Sequence, residues 1–279
     1  MQFHPPVSHI EVLVEVASGS GRHVFLETME ATEYAVMHAA EDHHWWYVGL
    51  HDLVIRLVQA ERERVRRPLF ILDAGCGTGR LCQLMQPFGE VGGCDIHPLA
   101  VEATAKRGID PVLQRDLVAD ELGFEQYDLI TCMDVLVHRN VTDEVLAMHN
   151  LYRALRKGGL LLIQVAAFEL LRGTHDAAVH SVRRYRWSRV VGLLESAGFT
   201  VQFASHRLCL PFLPAILWRS FSRLFPRCVN KDHIASDTGQ PCPRLLNRLL
   251  TSYVKAENVL LTLGVYSPIG MSIFAAARK

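Results

Sequence analysis

Short apolar runs alternate with segments of helical spacing along most of this chain. The runs that indicate strands are 69–73 (LFILD), 90–96 (EVGGCDI), 111–117 (PVLQRDL), 127–136 (YDLITCMDVL), 159–168 (GLLLIQVAAF), 199–206 and 271–277. Helical spacing begins near Arg80 and recurs at 97–107, 142–156 and 187–197. Strands that alternate with helices are typical of a parallel sheet with both faces covered. We therefore predict an α/β fold with a doubly wound, mostly parallel, seven-stranded sheet.

Helical segments flank this pattern on both sides. Apolar residues recur at helical spacing over 27–40 and 44–64, and again through most of 208–264 around a proline-containing break. We predict a helical N-terminal cap (1–67), a sheet domain (68–207 and 265–279) and a helical insert (208–264) before the last strand. In the insert, the apolar stretch 208–218 precedes Arg219, Arg223 and Arg227. This stretch fits either a helix that roofs a pocket or one that lies on a membrane surface.

Charge and cysteine content narrow the classes of protein. The chain has 29 Lys and Arg against 29 Asp and Glu, and this balance argues against nucleic acid as a partner, because such proteins usually carry a basic surplus. Seven cysteines without a C-x-x-C pair favour reduced thiols and a cytoplasmic location. We expect no signal peptide and no transmembrane segment, since no apolar run reaches roughly 18 residues. Peripheral membrane contact and a homodimer stay open.

A glycine-rich turn, Asp73-Ala-Gly-Cys-Gly-Thr-Gly79, follows the first predicted strand and precedes a helix. Glycines allow a tight turn and a close approach of the backbone to a ligand. The turn lacks the lysine of a phosphate-binding loop, and Asp73 would repel a pyrophosphate but attract a cation. Asp95 ends the second strand, where a carboxylate can accept both hydroxyls of a ribose. Asp116 follows the third, where it can accept a hydrogen bond from an adenine amino group.

Together these acids describe a ligand with a cationic centre, a ribose and an adenine, which S-adenosylmethionine provides. The turn resembles the D/E-x-G-x-G-x-G motif of class I S-adenosylmethionine-dependent methyltransferases, and the resemblance implies their Rossmann-like fold. The predicted cofactor-binding residues are Asp73, Gly75, Cys76, Gly77, Gly79, Asp95, Ile96, Asp116, Leu117, Asp134 and Val135.

Two further segments resemble one bacterial subfamily of these enzymes. The first is Glu41-Asp-His-His-Trp-Trp-Tyr-x-Gly49, and the second is His175-Asp-x-x-x-His-x-x-Arg-Arg-Tyr185; the tail from Ser236-Asp237 to Ser272 also matches. Leu50-His51 replaces an Arg-Arg of the pattern, and Val137-His138 replaces a Glu-His. The resemblance implies a small-molecule acceptor of natural-product or glycoconjugate type.

The predicted reaction is O-methylation by in-line transfer, with a histidine as base. The candidates are His138, His175 and His180, which follow the fourth and fifth strands at the edge where ligands bind in such sheets. Predicted substrate contacts are Trp45, Trp46, Tyr47, Arg184 and Tyr185. We expect that consecutive aromatic residues cannot all face one side of a helix, and that one ring lies near the site.

Several alternatives stay open beside this hypothesis. Asp176 with Arg183 or Arg184 fits a network that orders the loop equally well, and two histidines with one aspartate are too weak a signal for us to predict a metal. N- or C-methylation of a small molecule is one alternative reaction. A nucleic-acid or protein methyltransferase is disfavoured, because Cys132-Met-Asp-Val-Leu136 lacks a [DN]-P-P-[YFW] motif. A cofactor-binding scaffold or regulatory subunit without turnover is the alternative from another class.

Overall fold

A computed structural model describes residues 31–224 and 242–279. Its strands are β1 (Leu69–Ala74), β2 (Gly89–Asp95), β3 (Val112–Gln114), β4 (Tyr127–Met133), β5 (Leu155–Ala166), β6 (Thr200–Arg207) and β7 (Ser272–Arg278). They form one sheet in the order β3-β2-β1-β4-β5-β7-β6. The predicted α/β sheet of seven strands is confirmed.

Strand β7 is the exception to a parallel arrangement. The pairs β3–β2, β2–β1, β1–β4 and β4–β5 are parallel, whereas β7 is antiparallel to both β5 and β6. Its first residue, Ser272, pairs with Ala166 and Arg207 at the far ends of β5 and β6. The chain therefore enters β7 at the carboxyl edge of the other strands, which is the edge where open α/β sheets bind ligands.

Helices cover both faces of the sheet. They are α1 (Ala31–Ala40), α2 (Trp45–Val65), α3 (Arg80–Met85), α4 (Pro98–Lys106), α5 (Glu144–Ala154), α6 (Thr174–Ala178), α7 (Trp187–Ser196), α8 (Cys209–Leu224) and α9 (Arg244–Thr262). The short helix α6 was not predicted, because its five residues lie in a polar connection without apolar periodicity. The start of the predicted helix 27–40, most of the break in the insert, Arg227 and Ser236-Asp237 lie outside the described residues.

Two buried clusters hold the layers together. On one face, Met148 and Leu151 of α5 and Leu194 of α7 pack with Ile163. On the other, side chains of α2 and α3 pack with β1, β4 and β7. Each fully buried large apolar side chain stabilises the fold by about 1.5–3 kcal/mol.

The cap and the insert touch each other directly. Helix α9 packs on α2 at Gly49, where an added Cβ would lie 2.3 Å from Cγ1 of Val254. The far end of α2 is tied to the sheet by Glu61, which pairs with Arg64 and with Arg278 of β7. Helix α2 is thus held against the sheet at one end and against α9 near the other, which fixes where its first turn lies.

Candidate active site

A cavity of about 430 Å³ lies at the carboxyl edge of the sheet. This volume falls in the range of small-molecule sites. Its walls come from the glycine turn, from the ends of β2, β4 and β5, and from α1, the start of α2, α6 and α8. The cavity therefore draws on the cap, the sheet domain and the insert together.

The glycine turn has the backbone conformation that its sequence predicts. Gly75 and Gly77 have φ angles of 82° and 53°, which side chains rarely adopt. A Cβ at Gly75 would lie 2.2 Å from Cγ2 of Val135. The turn is bonded to β2, since the Gly75 and Cys76 N–H groups donate to the Cys94 carbonyl at 2.7 and 3.0 Å. Both glycines and Cys76 line the cavity.

Gly79 has a different role from the one its motif implies. It lies just before α3 with φ 79° and is not among the residues that line the cavity. A Cβ there would come within 2.8 Å of the Thr104 backbone. Its small size lets α3 approach α4 closely, so the structure places it in helix packing.

Asp73 is the next-to-last residue of β1, under the turn, and is almost fully buried. Its carboxylate accepts hydrogen bonds from the Thr131 hydroxyl at 2.6 Å and from the Cys82 thiol at 3.4 Å. Burial, with a smaller contribution from the charge of Asp95, raises the pKa of Asp73 to about 6. Its side chain lines the cavity floor.

Asp95 lies at the end of β2. Its two oxygens accept hydrogen bonds from the Gly77 N–H at 3.0 Å and the His97 N–H at 2.9 Å. Burial raises its pKa above the usual range. One carboxylate thus orders both the glycine turn and the start of α4 while it faces the cavity.

Asp116 follows β3 at one end of the cavity. Its Oδ1 accepts a hydrogen bond from the Val118 N–H at 2.7 Å. Ile96 and Leu117 add apolar wall beside it. An acid between two apolar side chains suits a flat heterocycle with an amino group.

Asp134 and Val135 follow β4. Asp134 has a left-handed backbone with φ 57°, and the Gln164 amide donates to its Oδ2 at 2.7 Å. Burial raises the pKa of Asp134. Val135 packs over Gly75, and both residues line the cavity.

These carboxylates fit a cationic ligand. Within the described residues, no Lys or Arg lies within ion-pairing distance of Asp73, Asp95, Asp116 or Asp134. Buried carboxylates without counter-charges are unfavourable, and the raised pKa values of three of them follow from this. A ligand with a sulfonium and an ammonium group supplies the missing positive charge, and the glycine turn leaves space for it.

Helix α1 and the residue directly after it contribute side chains that sequence reasoning missed. Tyr34, Met37 and Glu41 line the cavity. The buried Glu41 carboxylate accepts a hydrogen bond from the Thr78 hydroxyl of the glycine turn and pairs with Arg107. Glu41 opens the segment that carries the subfamily resemblance, which was its only signal; nothing in the sequence singled out the other two.

The aromatic residues at the start of α2 all line the cavity. Trp45, Trp46 and Tyr47 each contribute to its wall, although we expected one ring near the site. The expectation treated them as residues inside a helix. At a helix start the side chains lean toward the N-terminal end, so rings on different sides of the axis reach the same space. The Asn247 side chain of α9 accepts a hydrogen bond from the Trp45 N–H at 2.9 Å and holds this turn.

Five histidines of the described residues line the cavity, and two of them, His138 and His175, were predicted as bases. His138 follows β4, and His175 lies on α6. His44, His51 and His97 line it as well, and His51 is one of the departures from the subfamily pattern. Burial, reinforced by nearby positive groups, lowers the pKa of both His138 and His51 to about 4. Both rings are therefore neutral at pH 7 and have a lone pair that can accept a proton.

His180 is not among the residues that line the cavity. Its ring centroid lies 6.5 Å from that of His138, and its buried Nε2 has no hydrogen-bond partner among the described residues. Its backbone has φ 50°. The structure therefore places His180 behind His138, where direct contact with a substrate requires movement.

Of the two predicted substrate contacts Arg184 and Tyr185, only Arg184 lines the cavity. The Arg184 guanidinium, however, is bonded to Asp176 at 2.8 and 3.1 Å and to the Ala167 carbonyl at 3.0 Å. Tyr185 is 3% exposed and donates to the Leu136 carbonyl and to Glu144, away from the cavity. Adjacent residues of an extended segment point in opposite directions, so only one of the two can reach the ligand. Arg184 orders the loop, as the alternative interpretation expected.

Helix α8 of the insert borders the cavity through Ala215. Its buried Phe212 packs on Phe168 at 5.5 Å between ring centroids. Leu210, Leu213 and Leu217 on the same helix are 60–70% exposed. One side of α8 therefore borders the cavity, as a helix that roofs a pocket would, and its exposed leucines are of the kind that a helix on a membrane surface carries.

Neither a membrane span nor a metal cluster is found in the described parts of the chain. No helix there is long and apolar enough to cross a bilayer. No group of three or more His, Cys, Asp or Glu side chains in residues 31–224 and 242–279 is arranged to hold a metal ion.

Comparisons with known proteins agree with this geometry. Residues 72–161 match a family model described as a methyltransferase domain. A ubiquinone biosynthesis O-methyltransferase from Pseudomonas entomophila is 33% identical over 184 residues, which covers 54% of this chain and 78% of the relative. A counterpart from Xanthomonas oryzae is 28% identical over 183 residues, with 56% and 71% covered.

Solved structures share the fold at low sequence identity. A putative sarcosine dimethylglycine methyltransferase from Galdieria sulphuraria is 15% identical with a TM-score of 0.51, covering 82% of this chain and 84% of that one. A chain from the complex of the Haloferax volcanii Trm112 methyltransferase activator with a putative methyltransferase is 14% identical with a TM-score of 0.53, covering 88% and 94%.

An α/β sheet with an acid-lined cavity beside a glycine turn defines a protein that binds an adenosyl cation. This chain belongs to the class I S-adenosylmethionine-dependent methyltransferases. It is an enzyme that methylates a small molecule, with S-adenosylmethionine as its cofactor.

Proposed function

We propose that this enzyme methylates a hydroxyl oxygen on an uncharged aromatic molecule, with a histidine as general base. The observation that carries the proposal is the neutral imidazole of His138, which faces the same cavity as the carboxylates of Asp73, Asp95, Asp116 and Asp134. The similarity to O-methyltransferases of ubiquinone biosynthesis supports oxygen as the acceptor atom.

The roles of this chain's residues follow from their positions. Bound S-adenosylmethionine supplies an electrophilic methyl group on a sulfonium. Asp73 and Asp134 provide negative charge for its cationic part. Asp95 accepts hydrogen bonds from the ribose hydroxyls, and Asp116 accepts one from the adenine amino group. His138 or His175 accepts the proton of the acceptor hydroxyl, and the cavity walls hold the two reactants in line.

The walls favour an aromatic acceptor of natural-product type over a charged one. Trp45, Trp46 and Tyr47 offer ring surfaces for stacking. Two cavity arginines are already paired, Arg80 with Asp42 and Arg184 with Asp176. Arg115 lies beside Asp116, at the adenine end. A glycoconjugate carrying an aromatic group would fit the same walls.

Turnover with a panel of phenols, amines and sugars tests this proposal. We expect release of S-adenosylhomocysteine with a phenol, and NMR should place the new methyl group on oxygen. His138→Gln should lower kcat by about 10²–10⁴-fold, with His175→Gln measured in parallel because His175 faces the same space. His149→Gln, on the exposed side of α5, is the matched control.

Three outcomes would contradict the proposal. A methyl group on nitrogen or carbon would favour the alternative reactions. Cofactor binding without turnover on any acceptor would favour a scaffold or regulatory subunit. Unchanged kcat in both histidine variants would exclude an imidazole base.

We further propose that the insert contacts an anionic lipid surface. Leu245, Leu249 and Leu260 of α9 and Leu263, directly after it, are 50–74% exposed, at spacings that place them along one helix face. Arg244, Arg248 and Lys255 are exposed on the same helix. Its single acid, Glu257, instead accepts hydrogen bonds from the Leu208 and Cys209 N–H groups. Exposed leucines bordered by cations match an anionic bilayer.

Co-sedimentation with vesicles tests this contact. The enzyme should sediment with phosphatidylglycerol vesicles and much less with phosphatidylcholine vesicles, and the double variant Leu245→Ser, Leu249→Ser should abolish the difference. Phe124→Ser, at a 65% exposed ring outside the insert, is the control. Equal sedimentation with both lipids would contradict a preference for anionic lipid. A wild-type dimer in light scattering that the double variant dissociates would show that these leucines bind a second copy of the chain instead.

A further inference from the structure

Arg207, at the end of β6, is the largest side chain that is fully buried in the described residues. Burial lowers its pKa to about 10, so it is still charged at pH 7. No carboxylate of the described residues lies within ion-pairing distance of it. A buried arginine without an ion pair is unfavourable unless neutral groups solvate its charge.

Neutral groups from three elements surround the Arg207 guanidinium. Nη1 donates to the Gln164 side-chain oxygen of β5 at 2.5 Å. Nη2 donates to the Gly49 carbonyl of α2 at 3.2 Å and to the Asn258 side-chain oxygen of α9 at 3.1 Å. The group also lies 5.8 Å from the Phe274 ring centroid.

The arginine fixes which way the Gln164 amide points. An arginine has only donors, so the Gln164 oxygen must face it and the amide NH₂ must face away. That NH₂ donates to Oδ2 of Asp134 at 2.7 Å. The Gln164 carbonyl also accepts the Asp134 N–H at 2.9 Å. Gln164 thus holds both the backbone and the carboxylate of Asp134.

Asp134 needs this support for two reasons. Its left-handed backbone is unfavourable for a residue with a side chain, and such conformations persist only where neighbours hold them. Its other carboxylate oxygen, Oδ1, accepts no hydrogen bond from any described residue. The carboxylate therefore has one oxygen fixed by Gln164 and one free for a ligand in the cavity.

We propose that Arg207 is a positioning residue that acts through Gln164 to orient Asp134 as the carboxylate that receives the ammonium group of the cofactor. The proposal depends on the assignment of Asp134 to the cofactor site. It also explains why the cap and the insert meet here, because Asn258 donates to Gly49 at 2.8 Å and to Asp52 at 3.0 Å. Docking of α2 and α9 thereby keeps Arg207 in place.

Calorimetric binding of three probes tests the relay without any turnover. S-adenosylhomocysteine carries the ammonium group, methylthioadenosine lacks it, and S-adenosylmethionine adds the sulfonium. Gln164→Leu removes the amide at similar volume. We expect it to raise the Kd of the first and third probes at least tenfold and that of methylthioadenosine less than twofold. Ser205→Ala, at a buried hydroxyl of β6 bonded to His206 and Ser267, is the matched control.

A double-mutant cycle separates the relay from the assignment on which it depends. In the Asp134→Asn background, Gln164→Leu should have no additional effect on Kd. If Asp134→Asn alone leaves every Kd unchanged, the assignment of Asp134 fails. If Asp134→Asn weakens binding but Gln164→Leu does not, or weakens all three probes equally, the relay is wrong.

Arg207 itself is tested by the pair Arg207→Lys and Arg207→Met. Lysine keeps one donor for the Gln164 oxygen, whereas methionine has none. If the two variants have equal thermal stability, Arg207→Lys should bind the probes that carry the ammonium group more tightly than Arg207→Met does. Equal loss in both would contradict a role through Gln164. Should the methionine variant not fold, Arg207→Lys in the Gln164→Leu background decides the proposal, because it should have no additional effect on Kd there if Arg207 acts through Gln164.

Discussion

The charges of individual carboxylates dominate the chemistry of this site. Burial raises the pKa of Asp73, Asp95 and Asp134, and none of the three forms an ion pair within the described residues. A bound cation stabilises the ionised form of each acid. Binding of a charged ligand should therefore depend on pH in a way that binding of a neutral analogue does not.

The first prediction compares S-adenosylmethionine with S-adenosylhomocysteine, which lacks the sulfonium charge. Below pH 6 Asp73 is increasingly protonated and neutral, so preference for the sulfonium should fall. We expect the ratio of the two Kd values to favour S-adenosylmethionine more strongly at pH 7.5 than at pH 5, as measured by calorimetry. A ratio independent of pH would show that no titrating acid faces the sulfonium.

The second prediction concerns Asp95→Ala. The change removes the proposed ribose acceptor and the two hydrogen bonds that order Gly77 and His97. Charge-assisted hydrogen bonds contribute about 1.5–3 kcal/mol each, so the Kd of S-adenosylhomocysteine should rise at least tenfold. Glu102→Ala, at an exposed acid on α4, should leave it unchanged. Unaltered affinity in Asp95→Ala would refute the ribose assignment.

Single elements impose their own requirements, and the turn between β1 and α3 is the strictest of them. Its φ angles demand glycine at positions 75 and 77, and Val135 fills the space that a side chain at position 75 would need. A substitution there combines backbone strain with a steric clash.

Gly75→Ala therefore tests the turn directly. We expect it to destabilise the fold by about 1–3 kcal/mol and to abolish measurable cofactor binding. Adding Val135→Ala relieves the clash but not the strain, so it should recover stability only in part. Full recovery of binding in the double variant would mean that the left-handed conformation is not required.

Helix α7 offers the opposite case. Gly192 lies on its exposed side, and an added Cβ would meet nothing within 4 Å. Since glycine is about 1 kcal/mol less favourable than alanine inside a helix, Gly192→Ala should raise the melting temperature and leave kcat unchanged. A lower melting temperature in calorimetry would indicate that α7 needs this glycine for a reason absent from the structure.

At the scale of the whole molecule, the buried titratable groups of the site lower the free energy of unfolding of the ligand-free protein. Asp73 has a folded pKa of about 6 against 3.8 when unfolded, so the folded state binds more protons between these values. Its contribution to the free energy of unfolding therefore falls as pH rises through 3.8–6, by up to about 3 kcal/mol. The pKa of His138 is lowered from 6.5 to about 4 in the folded state. Its contribution to the free energy of unfolding therefore has the opposite pH dependence and falls as pH falls from 6.5 to 4.

Urea unfolding of variants separates these two trends. Asp73→Asn should gain stability over the unmodified protein as pH rises from 4 to 6 and then level off. His138→Gln should gain as pH falls from 6.5 to 4. Differences that do not vary with pH would show that neither group titrates with the pKa its burial implies.

The sequence by itself determined the alternation of strands and helices, the glycine turn and the acids at the strand ends. These features are local, because apolar periodicity, glycine and the residue after a strand are readable along the chain. Within the described residues, the bounds of the strands and of α1, α2, α4, α5 and α7 lie close to the predicted ranges, and α3 begins at the predicted residue. Helix α6 was missed, since a five-residue helix carries no periodic signal.

Only the tertiary structure decided which side chains share the cavity. Tyr34 and Met37 enter it because α1 lies over the glycine turn, whereas Tyr185 leaves it because the next residue in an extended segment points the other way. Buried Arg207 becomes a neighbour of Asp134 only through Gln164, and these residues are far apart in the chain. Packing and burial, which no local pattern encodes, therefore determine which side chains line the cavity and how far the pKa values of its acids are raised.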